Sequence, residues 1–212
     1  MRNKSEVNKI LAALDKEYHD AWCTLDHRDP LQLLVATILS AQCTDERVNL
    51  VTADLFKKYK KAADYANAAL TDLEDDIRST GFFRNKAKSI NALGQALEEK
   101  YKGQVPDKLD ELVKLPGVGR KTANVVLGTA FNIPGLAVDT HVSRFAGRTG
   151  LSNNKNAVKI EFDLMNQIPK KKWVKFSHQV IAHGRRICKA RKPDCPICPL
   201  LELCPFGQSS QR

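Results

Sequence analysis

Four cysteines near the C-terminal end, Cys188, Cys195, Cys198 and Cys204 in ICKARKPDCPICPLLELCPF, follow the spacing C-x6-C-x2-C-x5-C. Thiolates this dense along a chain can surround one metal centre, and Pro193, Pro196, Pro199 and Pro205 stiffen the turns between them, so four free thiols are the weaker reading. Zinc and iron-sulfur centres both accept four cysteines. Structural zinc sites usually present two close pairs, and only one C-x-x-C occurs here, which favours iron-sulfur. Arg185, Arg186, Lys189, Arg191 and Lys192 crowd the same segment. They offset the negative charge of thiolates and offer a surface that can track phosphates.

A second constellation lies in LPGVGRKTANVV, residues 115 to 126. Pro116 stops one helix, Gly117 and Gly119 allow a sharp turn, and a second helix begins with Arg120 and Lys121 in its first turn. Cations at the positive end of a helix dipole cost roughly 0.3 to 1 kcal/mol each. The cost reverses if an anion docks on the unpaired N–H groups there, and a nucleic-acid phosphate is the natural occupant. The glycine pattern alone ranks even with a plain αα-hairpin in which Val118 plugs the core. Lys121 faces a helix N-terminus and a neighbouring Arg, both of which penalise its ammonium form and favour a nucleophilic amine able to form Schiff bases. On residue type alone, a solvated phosphate contact is the simpler role for it.

Asp139, in LAVDTHVSRF, reads first as an N-cap. The helix that starts after Gly119 carries the chain about 20 Å away, and the seven residues of NIPGLAV can span roughly 23 Å, so the loop is long enough to return Asp139 toward Lys121. An ionised acid facing an amine whose proton is disfavoured is a credible catalytic pair. The spacing permits that pairing without demanding it.

These residues need a scaffold. The chain has 212 residues, 42% of them apolar and 27% charged, which suits a globular protein with a real core. The 34 Lys and Arg outnumber 24 acids for a net charge of +10, which favours a polyanionic partner, nucleic acid ahead of an anionic membrane. The longest apolar run, LQLLVATILSA, is well short of the ~20 residues a spanning helix needs. No secretory hydrophobic segment opens the sequence, so a reducing, cytoplasmic setting is expected, with cysteines as thiols or ligands.

Apolar residues recur at three- and four-residue steps almost throughout, predicting an all-α fold. Helices are expected over about 5–18, 30–41, 45–60, 71–79, 85–101, 107–114, 119–131, 140–147, 154–168 and 172–187. Thr71 and Pro106-Asp107 read as helix starts, and Gly81 and Gly103 as stops. Cys23 and Cys43 sit in apolar contexts and read as buried structural thiols. His178 and His183 are five apart and do not share a helical face as a metal pair would. The runs KKYKK and PKKKWVK read as solvated faces, and the tail GQSSQR as disordered.

LPGVGRKTANVV, AVDTH and the cysteine spacing occur in one order over nearly the whole chain, which closely resembles the endonuclease III family of helix-hairpin-helix DNA glycosylases. The resemblance implies two α-helical lobes, a six-helix barrel over 23–133 and a cluster lobe formed by 1–22 and 134–212. It implies a 4Fe-4S cluster on the four cysteines, and double-stranded DNA with damaged pyrimidines or abasic sites as the partner of a monomer. DNA would contact the hairpin residues Gly117, Val118, Gly119 and Arg120, along a cleft with Lys121 and Asp139 at its mouth. LSAQCTD, residues 39 to 45, and TGFF, residues 80 to 83, become loops that probe the duplex, with Gln42 and Phe82 filling the gap left by an extruded base. For Gln42 a helix-end polar role competes, and for Phe82 a buried aromatic role. The implied activity is base excision by Lys121 and Asp139 followed by strand cleavage through a lysine Schiff base. A monofunctional adenine-type glycosylase, which lacks a lysine at the position of Lys121, and a non-catalytic DNA-binding module are the rivals.

Overall fold

The computed structural model describes residues 2–210, and among these every regular element is helical. In chain order the α-helices are α1 (Lys4–Glu17), α2 (Pro30–Leu39), α3 (Asp45–Lys58), α4 (Ala62–Ala66), α5 (Leu70–Ile77), α6 (Phe83–Tyr101), α7 (Leu109–Leu112), α8 (Arg120–Ala130), α9 (Thr140–Thr149), α10 (Ala157–Gln167), α11 (Trp173–Arg186) and α12 (Pro205–Ser209). Among the described residues no helix is long and apolar enough to cross a membrane. The chain forms two compact units, Thr24–Ile133 and the combination of Met1–Cys23 with Pro134–Arg212.

The Thr24–Ile133 unit holds the α-helices α2 to α8, of which α4 is not among the helices expected. Ala62–Ala66 is a single short turn with only Ala62 and Tyr65 buried, too little pattern to register in sequence. Its tight seat on α6 needs Gly94, where an added Cβ would stand 2.6 Å from the Ala66 nitrogen. At the centre lies α2, buried continuously from Leu33 to Leu39 and started by Asp29, whose side chain accepts from the Gln32 N–H. Two expected starts shift. α5 begins at Leu70 with no side-chain cap, leaving Thr71 inside the helix, and α7 begins at Leu109, two residues past Asp107. In α5 the burial of Leu73 and Ile77 sets the helix, and the capping pattern yields to it.

The other unit packs α1, α9, α10 and α11 around one core that includes Ile10, Leu14, Phe145, Phe176 and Val180. α1 opens on a capping box between Asn3 and Glu6 and buries Val7, Ile10, Leu11 and Leu14. Pro205 and the Cys204 side chain, which accepts from the Gly207 N–H, start α12 and bury Gly207. The tail expected to be disordered is therefore helical through Ser209, and Gln211 and Arg212 lie outside the described residues. Of the lysine runs, Lys57 pairs with Asp54 and Lys58 with Asp76, while Lys172 and Lys175 both pair with Asp15.

α9 and α11 meet where Gly184 faces His141. A Cβ on Gly184 would come within 2.5 Å of His141 Nδ1 and 3.0 Å of its Cβ, and Arg144 Nη2 donates to that Nδ1 at 3.0 Å. The ring cannot swing away without breaking this contact. Gly184→Ala is expected to lower the unfolding free energy by about 1 to 3 kcal/mol, although Ala is the better helix former. Thermal unfolding checks it, and an unchanged or higher Tm would contradict the packing described.

Asp15 supplies a pH dependence. Burial opposes its ionisation, but Lys172 Nζ at 2.8 Å, Gln179 Nε2 at 2.9 Å and Lys175 outweigh it and hold its pKa at about 2, below 3.8. A depressed carboxylate contributes stability above its unfolded pKa, ~3.9, that is lost as pH falls through the folded value. Because these side chains are about a third exposed, the contribution is about 1 kcal/mol after screening. Asp15→Asn is expected to lose that amount at pH 7 and to converge with wild type as pH falls from ~4 to about 2, measured by urea unfolding.

Candidate functional site

The hairpin lies within the Thr24–Ile133 unit. α7 ends at Leu112, Leu115 is buried, and Gly117 turns the chain at φ 76°, a conformation that favours glycine. A side chain at Gly117 would also press on Ser89, with Cβ to Cβ at 3.0 Å. Val118 is buried and its N–H donates to the Leu115 carbonyl at 3.1 Å, so its side chain is the plug of the turn. Gly119 is the N-cap of α8, extended at φ −87°, and brings no side-chain cap. Nothing stands within 4 Å of where its Cβ would be. The first turn of α8 thus opens without a capping side chain and with room in front, the arrangement in which an anion binds. In that turn Arg120 is half-buried and Lys121 exposed.

Two further loops of this unit share a groove with the hairpin. Gln42, Phe82, Gly117 and Thr122 line one solvent-open cavity together with Ile38, Lys86 and Ser89. Gln42 lies beyond the end of α2, exposed, at φ 53°. Phe82 is 63% exposed at φ 48°, whereas Phe83 is half-buried under the guanidinium groups of Arg78 and Arg84. The aromatic that packs is therefore Phe83. Holding a non-glycine residue in the left-handed region costs roughly 1 to 2 kcal/mol, and such strain gathers at ligand sites. Cys43, expected to be buried, is half-exposed because it belongs to the Gln42 loop; Cys23 is half-exposed too.

Asp139 belongs to the other unit and caps α9, its Oδ1 accepting from the Val142 N–H at 2.8 Å. Buried Leu136, Ala137 and Val138 lead into it, and the Ala137 N–H donates to Ser177 Oγ at 3.1 Å. The carboxylate is thus fixed by its own helix and by the strap before it. Two residues on, burial pushes the His141 imidazole below its ordinary pKa, and Arg144 and Arg185 add to this against the opposing charge of Asp139. From the same helix Arg144 Nε donates to the Cys188 carbonyl at 3.0 Å, joining the segment that carries Asp139 to the cysteine loop.

Cys188, Cys195, Cys198 and Cys204 line one cavity, walled by Phe145, Arg148, His183, Leu200 and Phe206. Among the described residues no three His, Cys, Asp or Glu side chains meet as ligands of a single ion; the four thiols instead surround a shared space. Donors already point at the sulfurs. Arg148 Nη1 reaches Cys188 Sγ at 3.2 Å and the Gly207 N–H reaches Cys204 Sγ at 3.4 Å. Burial pushes the Cys198 and Cys204 thiols up, toward their neutral form, a preference that a bound metal centre inverts. Four soft donors around a common space, with hydrogen bonds onto their sulfurs, fit an iron-sulfur cluster.

His183 packs in this wall, its Nδ1 2.9 Å from the Tyr18 hydroxyl and its Nε2 3.8 Å from Cys198 Sγ, and burial holds its pKa at about 4. His178 lies against Trp22 with its ring tilted by 37°, so the two histidines are not a metal pair. The five basic residues expected at the cluster are exposed. Arg144 and Arg148, which sequence reasoning missed, donate to the cysteine segment. Only their position on the helix that Asp139 starts could have marked them.

Residues 35–170 match the family described as HhH-GPD superfamily base excision DNA repair protein, and residues 188–204 match the iron-sulfur binding domain of endonuclease III. The chain is 51% identical to the endonuclease III of Synechocystis sp. over 98% of its own length and 95% of that protein. It is 47% identical to the endonuclease III of Bacillus subtilis over 100% of its length and 97% of that protein. A solved structure of a trapped endonuclease III-DNA covalent intermediate superposes with a TM-score of 0.96 at 49% identity, each chain covered in full. With the hairpin, the capped Asp139 and the cysteine cavity in place, the chain belongs to the endonuclease III family of the HhH-GPD superfamily.

Proposed function

We propose that this base-excision DNA glycosylase and abasic-site lyase removes oxidised pyrimidines from duplex DNA, with Lys121 as nucleophile and Asp139 as its acidic partner. The observation that carries the reading is the open start of α8, where Lys121 stands exposed in a first turn without a side-chain cap. A relative caught as a covalent intermediate with DNA supports a bond between enzyme and sugar. The monofunctional rival lacks the lysine that this chain has.

Phosphate of the duplex docks on the Gly117–Gly119 turn and Arg120, which reverses the electrostatic cost of that cation. A damaged pyrimidine leaves the stack at a cost of a few kcal/mol, and Gln42 and Phe82 occupy the space vacated. The Lys121 amine attacks the anomeric carbon: an N–C bond forms, the glycosidic bond breaks, and the base departs with the bonding pair. Asp139 offsets positive charge developing on the sugar and takes a proton from the attacking amine. Ring opening gives the protonated Schiff base, which acidifies the neighbouring sugar carbon. Loss of that proton expels the phosphate on the 3′ side and cuts the strand.

Cys188, Cys195, Cys198 and Cys204 hold the four-iron cluster in this proposal. When bound it supplies fixed charge and cross-links the loop, and the reaction steps belong to the protein side chains. The enzyme works as a monomer inside the cell.

Borohydride reduction with abasic duplex tests the reading. Wild type is expected to form a covalent adduct and Lys121→Ala to lose most of it; no adduct with wild type would contradict a lyase. Asp139→Asn is expected to retain DNA affinity while glycosylase rate falls by roughly 100-fold or more, and a fully active variant would remove Asp139 from the mechanism. Cys204→Ser is expected to lose iron and acid-labile sulfide, counted per chain. Undiminished iron and sulfide would reassign the ligands.

A further inference from the structure

Lys86 is an unusual residue to bury. It is 5% exposed in the first turns of α6, where the helix dipole disfavours a cation, and no carboxylate stands against it among the described residues. Its Nζ donates to the Leu39 carbonyl at 2.8 Å and to the Thr80 carbonyl at 2.8 Å. Leu39 is the last residue of α2, and Thr80 is the last residue of the 3-10 turn Arg78–Thr80. One ammonium therefore caps the negative ends of two helical segments far apart in sequence.

Both capped ends lead into the same kind of backbone. Three residues past Leu39 the chain enters the left-handed region at Gln42, and two residues past Thr80 it does so at Phe82. Both residues line one groove, and Lys86 lines it with them. No other hydrogen bond among the described residues joins segment 39–43 to segment 79–83. The two strained loops are tied at their roots by this lysine.

We propose that Lys86 is a positioning residue that fixes the Gln42 and Phe82 loops relative to each other so that both enter the duplex in one step. The proposal rests on the functional reading in which Gln42 and Phe82 fill the space of an extruded base. Two probes on separately mobile loops would have to be ordered during insertion, whereas probes anchored on one buried group arrive already spaced. Burial lowers the Lys86 amine from its ordinary value, opposed by Cys43 nearby, so the charge is kept at a cost that a methionine of similar shape would avoid. A group whose sole task was to fill the core would not need to be a cation.

The test is Lys86→Met in the full chain with its cluster, which keeps length and burial and removes the donors. Two duplexes separate the roles, one with a damaged pyrimidine paired in the stack and one with a preformed abasic site, where no base has to be extruded. Single-turnover excision of the damaged base is expected to fall by roughly 100-fold, and borohydride trapping at the abasic site by much less. A fluorescent adenine analogue opposite the lesion is expected to brighten on binding wild type and to stay quenched with the variant.

Equal losses on both duplexes, with a lowered Tm, would make Lys86 an ordinary structural residue and overturn the proposal. So would unchanged excision. Absence of trapping by wild type would defeat the enzymatic reading instead, and the fluorescence would still report loop insertion separately. If Lys86→Met does not fold, Gln42→Ala and Phe82→Ala in the wild-type background decide. Concerted insertion predicts that the double variant loses less than the product of the single losses, and strictly multiplicative losses would overturn it.

Discussion

Two cations, Arg120 and Lys121, stand in the first turn of α8, which has no side-chain cap. A cap residue would ordinarily supply an oxygen to the first N–H groups of a helix, and acids would ordinarily come next. This chain supplies Gly119, Arg120 and Lys121 in their place. The local cost is modest, but it has a chemical direction, because an anion arriving from outside converts each liability into an attraction. Next to that anion site, in the same turn, stands the exposed side chain of Lys121. In the proposed mechanism, recognition and nucleophilic chemistry share one helix end.

The rest of the molecule holds that end and its counterparts still. Gly117 is pressed against Ser89, and Val118 closes the turn from beneath. Asp139 is fixed by the helix it caps and by the buried strap of Leu136, Ala137 and Val138. Arg144 and Arg148, on that same helix, bind the carbonyls and one sulfur of the cysteine segment. The cysteine loop is thereby tied to the helix that Asp139 starts. Polar side chains facing two ways from one short helix are a compact means of linking a site to its support.

Several features were legible in sequence because the signal is local. The glycine pair and the proline before it define a turn, four cysteines define a centre, and aspartate before a helical pattern defines a cap. The apolar periodicity of α1, α2, α6 and α11 placed the larger helices. Other features were invisible for physical reasons. α4 is too short to show a period, and α5 begins where Leu73 and Ile77 are buried instead of where Thr71 offers a cap. Cys204 starts a helix in what read as a loose tail, because its sulfur serves as a cap acceptor. Arg148 and Lys86 look like any surface cation until the carbonyls they bind are brought to them from distant segments. The family resemblance named Gln42 and Phe82, and only the backbone showed that both stand in the left-handed region.

The central claim is that the amine in the first turn of α8 becomes bonded to the sugar. Mass spectrometry of the borohydride-reduced complex, after nuclease and protease digestion, locates that bond. A reduced sugar-phosphate remnant is expected on the peptide containing Lys121. A remnant on any other lysine, or on the terminal amine, would contradict the claim.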